Sequence, residues 1–316
     1  MFNHLLHNHV KIQVEGDHVN VGFIYNPESG SGHIVKHLDY IKSTFLQYNH
    51  SIELLPTKKS KDAEIFASQS KHDMLLIAGG DGTINEVVNG LMKNQHKPTL
   101  ALIPTGTVND VGSILGIPKN IKKALKLILN NPVIRAVDIT KINNRYFIYA
   151  AATGKFAKAS YDIRRTYKRR YGAISYFFRG SKDLFQSYNI PVEITYDNGK
   201  WRGVCSIILL LNGARVAGIS LNRMKSKMND GVIEARFFKN EPGVLFRVFG
   251  FFVSGGLYDT KKNKTIRSSK FTIDMPDTFE WNTDGEYAFK GPVEVKVIQQ
   301  AIHVVVHPKR LKRHFE

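Results

Sequence analysis

The sequence predicts an α/β domain followed by a mostly antiparallel, β-rich domain. Three observations carry this prediction. Short apolar runs alternate with amphipathic segments from about residue 20, strand-like runs dominate after about residue 140, and glycine-rich turns follow the early strands. Alternating strands and helices are typical of a parallel sheet covered by helices, whereas successive short strands separated by turn residues are typical of a sandwich or barrel.

The strands of the first domain are predicted from apolar runs that end in polar turns. These runs lie at residues 19–26, 51–57, 73–80, 99–106 and 133–140. Amphipathic segments between them, for example 34–48 and 61–71, predict the covering helices.

The second domain is predicted from a change of pattern. Its strand-like runs lie at residues 145–152, 190–201, 204–213, 231–238, 270–276 and 293–306. Asn198-Gly199 and Asp230-Gly231 are predicted turns, because Asn-Gly and Asp-Gly pairs favour the backbone conformations of tight hairpins.

The cysteine content and the apolar runs of the sequence indicate the cellular compartment of the protein. Among 316 residues the single cysteine, Cys205, lies in an apolar run, so no disulfide forms within the chain and a reduced, cytoplasmic setting is expected. The N-terminal segment has no apolar core of the kind that a secretory signal needs. No stretch approaches the ~20 apolar residues of a spanning helix.

A formal net charge of +18 predicts an anionic partner: nucleic acid, an acidic membrane or a phosphorylated ligand. Segment 164–180 mixes cations with aromatic side chains, and 307–314 is also basic. Neither has the spacing of a nucleic-acid-reading motif, so no nucleic-acid partner is expected. Cations beside aromatic residues suit the edge of an anionic bilayer, whereas a solvated helix face is the alternative for 164–170.

Polar, glycine-rich turns follow several of the predicted parallel strands. They read "NPESGSG" at 26–32, Gly79-Gly80-Asp81-Gly82, and "PTGTVND" at 104–110. Ligands of open α/β sheets gather beyond these strand ends, and glycine lets backbone N–H groups approach a phosphate. Together the turns predict a polyphosphate ligand. Thr83 and Glu86 have the spacing of a capping box, which predicts a helix start at the second turn.

The turns match neither of the common phosphate-loop patterns. No Gly-Lys-Ser/Thr follows the glycines, and Gly-x-Gly-x-x-Gly is absent. A carboxylate within a phosphate loop is unfavourable unless a cation or donor meets it. Asp81 therefore indicates a Mg²⁺-bound nucleotide or a ligand hydroxyl.

Four motifs together resemble the soluble bacterial diacylglycerol kinase family of lipid kinases. Along the chain they are "NPESG", "GGDGTINEVVNGL", "PTGTVND" and "TDGEY", and they occur in the same order as in that family. The resemblance implies a Rossmann-like nucleotide-binding domain of the NAD kinase and phosphofructokinase type, followed by a β-sandwich-like domain. The corresponding division is 1–138 with 305–316 returning to it, and 139–304 for the lipid substrate.

The resemblance implies transfer of the γ-phosphoryl group of ATP to a lipid hydroxyl, converting diacylglycerol to phosphatidic acid. Another lipid alcohol, a catalytically silent relative that binds nucleotide or membrane, and an NAD kinase are the alternatives. By position, the nucleotide would contact Asn26, Pro27, Glu28, Ser29, Gly30, Thr57, Gly80, Asp81, Gly82, Thr83, Ile84, Asn85, Glu86 and Thr107.

The resemblance also implies the catalytic carboxylates. Glu286 of the Asp-Gly-Glu motif would be the general base, and Asp138 would assist it. Without the resemblance, Glu286 reads as a hairpin residue and Asp138 as a strand-end turn residue.

A structural Mg²⁺ is implied by the same resemblance. Its ligands would be the Asp230 carboxylate and the carbonyls of Lys227 and Val232, although an ion-free turn would have the same sequence. The expected partners are ATP and a lipid at the inner face of an anionic membrane, with peripheral attachment and a homodimer as a candidate assembly.

The chain departs from the family pattern at several positions. Ser31 and Ser113 stand where the family has cations, the glycines of the domain junction are partly replaced at 150–156, and Arg179 stands where diacylglycerol-specific members have lysine.

Overall fold

A computed structural model describes residues 18–28, 33–154, 188–257, 260 and 263–316. The predicted site residues Ser29 and Gly30 therefore lie outside the described residues, as do Ser31, Arg179 and segment 164–180.

The N-terminal part folds around a parallel sheet with the strand order β2-β1-β3-β4. Its strands are β1 (Asn20–Tyr25), β2 (Ser51–Pro56), β3 (Met74–Gly79) and β4 (Thr99–Pro104). Every residue of β3 and β4 is buried, which explains why both read as continuous apolar runs rather than as alternating ones.

Helices cover both faces of this sheet. They are α1 (Leu38–Gln47), α2 (Asp62–Gln69), α3 (Asp81–Leu91), α4 (Asp110–Leu115) and α5 (Ile121–Leu129). Leu75 and Ile77 of β3 belong to the core formed with α2, α3 and α4. Leu76 and Ala78 belong to the opposite core, formed with α1 and α5. The alternation of side chains along one strand thus supplies two helix-covered layers.

Two long strands continue from the parallel sheet into the rest of the protein. β5 (Val133–Ile142) and β17 (Val293–Val306) pair antiparallel along their length, with an irregularity between Ile298 and Ile302. β17 also pairs in parallel with β4, through Val304 and Leu100. The predicted boundary after residue 138 falls inside β5, and the predicted return at 305 falls inside β17; the division into domains stays a prediction.

The β-rich part consists of antiparallel pairs. Its strands are β6 (Arg145–Phe147), β7 (Ala150–Gly154), β8 (Ile190–Tyr196), β9 (Gly199–Leu211), β12 (Ile233–Lys239), β13 (Asn263–Ser268), β14 (Lys270–Asp274), β15 (Glu280–Thr283) and β16 (Glu286–Lys290). β9 pairs with β8 through its first half and with β7 and β12 through its second half. Phe237, Phe271 and Trp281 from these strands share one core.

Shorter elements complete the described chain. β10 (Arg215–Val216) and β11 (Ile219–Ser220) form a small hairpin, α6 (Val244–Val253) follows β12, and α7 (Leu311–His314) follows a 3₁₀ turn at Pro308–Arg310. Among the residues with described positions, no helix has the length and apolar character that crossing a bilayer requires.

The two predicted turns differ from the structure. Tyr196 pairs with Gly199, so the hairpin between β8 and β9 turns at Asp197-Asn198, one residue earlier than predicted. Asp230-Gly231 is not a hairpin turn, because it lies in the connection that precedes β12. Gly231 adopts a positive φ of 74° there, which accounts for the turn-like sequence.

Candidate active site

The turns after β3 and β4 touch each other through glycine backbone. A Cβ atom added to Gly106 would lie 2.5 Å from the Cα of Gly80. A side chain at Gly106 would therefore collide with backbone, which cannot give way as a flexible side chain can. The two strand ends meet in a surface of main chain, the kind that a phosphate group can approach closely.

Helix α3 begins at this surface, but the predicted capping box does not form. The helix runs from Asp81 with Gly80 as its N-cap residue, and no side chain caps it. Thr83 is therefore already inside the first turn. Glu86 accepts a hydrogen bond from Ser60 at 3.4 Å instead. The prediction of a helix start at the turn is confirmed, whereas its predicted mechanism is wrong.

The Asp81 carboxylate joins the two turns. Its oxygens accept hydrogen bonds from the backbone N–H groups of Asp110 at 3.0 Å and Val111 at 3.1 Å, at the start of α4. Burial raises the pKa of Asp81, and these backbone donors oppose the rise. The contacts give Asp81 a role that its sequence position did not indicate: it caps α4 across the loops.

This arrangement predicts different outcomes for two substitutions of Asp81. Asp81→Ala removes both hydrogen bonds and should lower the free energy of unfolding by about 0.5–2 kcal/mol, the usual range for a lost cap. It should also misplace the phosphates of the Mg²⁺–ATP that the sequence predicts at these turns, with loss of activity. Asp81→Asn keeps one acceptor oxygen and should retain more of both properties. Chemical denaturation and titration with Mg²⁺ and ATP measure the two effects. If Asp81→Asn were as stable as the wild type but as inactive as Asp81→Ala, the carboxylate charge would act on the nucleotide directly.

Asp110 forms a second buried carboxylate beside Asp81. It pairs with Arg215, whose Nε lies 2.8 Å from Oδ1, and it accepts the N–H of Gly218 at 3.0 Å. Burial and the neighbouring charge of Asp81 raise the pKa of Asp110 to about 6. The hairpin of β10 and β11 is thereby tied to the start of α4.

A hairpin from the C-terminal half of the chain reaches the glycine turn. β15 and β16 are joined by Asp284 and Gly285, whose φ values of 49° and 93° are those of a tight two-residue hairpin turn. A Cβ atom added to Gly82 would lie 2.8 Å from Oε1 of Glu286. The carboxylate predicted as the general base therefore lies directly beside the predicted nucleotide turn.

Asp284 holds this hairpin in place. Its buried carboxylate accepts hydrogen bonds from the Asn85 side chain at 2.9 Å and from three backbone N–H groups, those of Ile148, Tyr149 and Ala150, at 2.8–3.1 Å. Burial is the largest influence on this carboxyl and raises its pKa to about 6. The position of Glu286 thus depends on contacts to α3 and to the segment before β7.

The other predicted nucleotide residues lie around the same strand ends. Asn26 follows β1, donates its N–H to Ala78 O and accepts the N–H of Glu28 at 2.9 Å, next to Pro27. Thr57 follows β2 and donates its N–H to Tyr25 O. Thr107 is exposed in the turn after β4. Two members of the set, Ile84 and Asn85, are buried.

Asp138 lies in a different environment. Its buried carboxylate accepts the N–H groups of Gly231 and Gln300, both at 2.7 Å. Burial raises its pKa, and the charges of Asp230 and Glu316 add to the rise. Asp138 thus holds the 228–232 loop against the irregular part of β17, and its assisting role in catalysis stays a prediction.

Sequence comparison with known proteins identifies the family of this chain. The diacylglycerol kinase catalytic domain family matches residues 20–142. A diacylglycerol kinase of Bacillus subtilis (strain 168) is 32% identical over 295 residues, which cover 92% of this chain and 97% of the relative. One of Staphylococcus carnosus (strain TM300) is 33% identical over 298 residues, covering 92% and 95%. The chain belongs to the diacylglycerol kinase family. The predicted family and enzyme class, a lipid kinase, are thereby confirmed.

Solved structures of diacylglycerol kinase type share the fold. A crystal structure of a protein from Bacillus anthracis str. Sterne covers 97% of this chain and 100% of its own, with a TM-score of 0.80 and 28% identity. The crystal structure of a diacylglycerol kinase from the same strain gives a TM-score of 0.73 at 26% identity, covering 92% and 98%. The predicted two-part α/β fold is confirmed.

The metal site implied by the family resemblance would place Mg²⁺ on the Asp230 carboxylate. In the structure this carboxylate already forms an ion pair with Arg267. Oδ2 of Asp230 lies 2.7 Å from Nη2 of Arg267, and Oδ1 accepts the N–H of Val232 at 3.3 Å. Lys227 donates its Nζ to Lys312 O at 2.8 Å. No cluster of three or more His, Cys, Asp or Glu side chains suited to a metal occurs in the described residues. A Mg²⁺ ion on Oδ2 of Asp230 would have to displace Arg267.

Several residues of this site carry no predicted role in the sequence. Asp284 stands beside Glu286 in the recognised motif, and Asp110 ends the recognised "PTGTVND", so both had a signal. Asn89 likewise lies in the recognised "GGDGTINEVVNGL", whereas Arg215 had no signal. Asn89 bonds the backbone of Tyr146, and Arg215 bonds Asp110, through contacts between residues far apart in the chain.

Proposed function

We propose that this lipid kinase transfers the γ-phosphoryl group of ATP to the free hydroxyl of diacylglycerol, giving phosphatidic acid and ADP. The observation that carries the proposal is the placement of Glu286 beside Gly82, because it brings a carboxylate to the turn where phosphates would lie. The new bond joins the acceptor oxygen to the γ-phosphorus, while the bond from that phosphorus to the β,γ-bridging oxygen breaks.

Glu286 is the group that takes the proton. A carboxylate within hydrogen-bond reach of the attacking hydroxyl accepts its proton as the oxygen bonds to phosphorus. The main-chain surface formed by Gly80 and Gly106 would hold the phosphates, since phosphoryl transfer depends mainly on alignment and charge stabilisation. Asp284 and Asn85 act through Glu286 by fixing its hairpin.

The test is transfer of labelled γ-phosphate from ATP to lipids in mixed micelles. The panel contains diacylglycerol, monoacylglycerol, a long-chain amino alcohol and a polyprenol, with Glu286→Gln as the matched control. Labelled phosphatidic acid made by the wild type alone supports the proposal. Product on another lipid would favour the alternative acceptor, and no product on any lipid would favour a silent relative.

Mg²⁺ is proposed as the ion that accompanies ATP, where it would neutralise phosphate charge. The predicted second ion on Asp230 is tested without nucleotide, by thermal unfolding in Mg²⁺ or EDTA. Because Arg267 competes for the carboxylate, Mg²⁺ should stabilise Arg267→Gln more than the wild type and leave Asp230→Asn unaffected. An equal response of all three proteins would show that no Mg²⁺ binds at Asp230.

Peripheral attachment to the inner face of the membrane is supported by an apolar surface on α6. Phe246, Phe249, Val253 and Leu257 are 81%, 52%, 69% and 56% exposed. The first three recur at the spacing of one helix face. Segment 164–180, the predicted docking region, lies outside the described residues and stays a prediction.

The other face of α6 is firmly held. Val248 and Phe251 are buried, and Phe251 packs edge-on against Phe238 with ring centroids 5.7 Å apart. The buried Arg247 donates to Lys239 O at 2.7 Å and to Pro242 O at 2.9 Å. The apolar face is therefore presented by an anchored helix.

The surroundings of this face favour an anionic bilayer as its occupant. The sequence of α6 contains no acidic residue. The exposed Arg223 and Lys225 lie in a loop that packs beside the C-terminal end of α6. The N–H of Arg223 donates a hydrogen bond to Gly255 O at 2.8 Å. Apolar side chains beside cations can insert between lipid chains while the cations meet anionic headgroups.

We expect the double change Phe246→Ser and Phe249→Ser to weaken binding to anionic vesicles at least tenfold. Burying a phenylalanine contributes about 1.5–3 kcal/mol, and about 1.4 kcal/mol corresponds to a factor of ten. Vesicle sedimentation measures the effect, with Leu46→Ser and Ile65→Ser, which are also exposed, as the matched control. Light scattering reports the oligomeric state. Unchanged vesicle binding together with a dissociated dimer would identify the face as a homodimer interface instead.

A further inference from the structure

A small cationic cleft lies between α4, the β10–β11 hairpin and α7, with a cavity volume of about 20 Å³. Its polar lining consists of Ser113, Arg215, Ser220, Arg310, Arg313 and His314. On this measure one water molecule needs about 10–15 Å³, so the cleft holds one oxygen-sized group, and the rest of a bound anion would lie at its mouth. None of these residues belongs to the glycine turns or to the Glu286 hairpin.

The positive charge of the cleft exceeds its internal compensation. Arg215 pairs with Asp110, whereas neither Arg310 nor Arg313 forms an ion pair within the described part of the chain. Arg313 contacts the side-chain oxygen of Asn222, a neutral acceptor. Burial and the charges of Arg310 and Arg215 lower the pKa of Arg313, because like charges converge there. Such convergence is unfavourable unless an anion relieves it.

His314 lines the same cleft and carries a buried polar atom without a hydrogen-bond partner. The residue is 3% exposed, and its Nδ1 has no hydrogen-bond partner among the described residues. Burial, with the charges of Arg313 and Arg310, lowers the pKa of His314 to about 4, so the ring is neutral near pH 7. A neutral ring can carry its proton on Nδ1 and donate it to an oxygen. A buried polar atom without a partner is rare, and a ligand is one explanation for it.

Two serine side chains, those of Ser113 and Ser220, also line this cleft. Hydroxyls and guanidinium groups together can donate to several oxygens of one tetrahedral anion.

We propose that this cleft binds the phosphate group of a phosphate monoester or of inorganic phosphate, as a site separate from the nucleotide turns. Arg310 and Arg313 would supply paired guanidinium donors, which suit phosphate geometry better than lysine does. Arg215 links the site to catalysis, because it also bonds Asp110, and Asp110 lies at the helix start that Asp81 caps. Occupancy of the cleft would thereby influence the nucleotide turn.

The experiment measures phosphate binding directly, without turnover. Isothermal titration of the full chain uses inorganic phosphate, glycerol 3-phosphate and a short-chain phosphatidic acid below its micelle concentration, with chloride at matched ionic strength. Three proteins are compared: the wild type, Arg310→Gln with Arg313→Gln, and Lys309→Gln with Lys312→Gln. The lysines are exposed in the same segment, so the control removes the same charge.

We expect the arginine double variant to bind phosphate at least tenfold more weakly and the lysine double variant to bind it as the wild type does. Tighter binding of phosphatidic acid than of inorganic phosphate would identify a lipid headgroup as the source, and the reverse a free phosphate. Equal binding by all three proteins would place the anion elsewhere and overturn the proposal, as would absence of binding to the wild type. The outcome is independent of the lipid assay, since no phosphoryl transfer is measured.

Discussion

Replacing Glu286 with glutamine is expected to lower phosphoryl transfer to the acceptor by roughly 10²–10⁴-fold, the usual contribution of a general base. Glutamine keeps the size of the side chain but cannot take the proton of the attacking hydroxyl. The fold and the affinity for ATP should change little, because the hydrogen bonds to the Asp284 carboxylate that hold the hairpin are left intact. Single-turnover transfer to diacylglycerol and equilibrium binding of ATP measure the two properties separately.

Gly82→Ala provides an independent test of the same geometry. Its new methyl group would lie 2.8 Å from Oε1 of Glu286, so the carboxylate must move away from the turn. The substitution leaves Glu286 chemically intact and should still lower the rate of transfer, with the unfolding transition little changed. Near-normal turnover of purified Glu286→Gln would mean that another residue is the general base, regardless of the rate measured for Gly82→Ala.

Asp284→Ala should have the largest effect on the folded state of the substitutions considered. It removes the shared acceptor of four donors in the interior, and each buried donor left without a partner costs about 1–3 kcal/mol. Partial entry of water reduces the sum, so we expect a loss of about 3–5 kcal/mol in the free energy of unfolding. Activity should fall as well, because the released hairpin no longer holds Glu286 beside Gly82.

Denaturant titration at constant pH measures this loss, with Asp274→Ala as the control. Asp274 is an exposed aspartate on β14, and its removal should change stability little. Equal stability of the two variants would mean that water replaces the Asp284 carboxylate fully. The hairpin would then depend on its turn and strand pairing alone.

The parallel sheet was predictable because its strands β3 and β4 are buried on both faces. Continuous apolar runs such as Met74–Gly79 can hardly be anything but interior strands when glycine turns and amphipathic helices follow them. The glycine turns were likewise predicted from the residues that directly follow these strands. These residues did not indicate the function of Asp81, whose partners at Asp110 and Val111 lie in the next loop.

The two local errors have different causes. The capping box fails because Gly80 starts the helix before Thr83 can act as its cap. The hairpin turns at Asp197 rather than at Gly199, and Asp197 accepts hydrogen bonds from Ser268 at 2.8 Å and from the N–H of Ser269 at 2.7 Å. A preference of two adjacent residues cannot encode such a bond to another strand.

The pairing of Glu286 with the glycine turn could be predicted only through the family resemblance. Neither residue type nor spacing indicates that a late hairpin meets the start of α3, since the contact depends on how the two parts pack. The cationic cleft was equally hidden. Its serines and arginines come from three separate parts of the chain, 113, 215–220 and 310–313, that only the fold brings together.

The placement of β17 has a consequence for how the protein folds. β17 comes after every strand that it joins, and it pairs with β4, β5 and β14. Until β17 has been synthesised, β4 is therefore an unpaired edge strand of the parallel sheet, and β5 lacks its long antiparallel partner. Contacts between segments so distant in the chain form slowly, and unpaired strand edges favour aggregation. We expect refolding to be slow and dependent on concentration, with most of the structure gained in one late step when β17 closes the sheet.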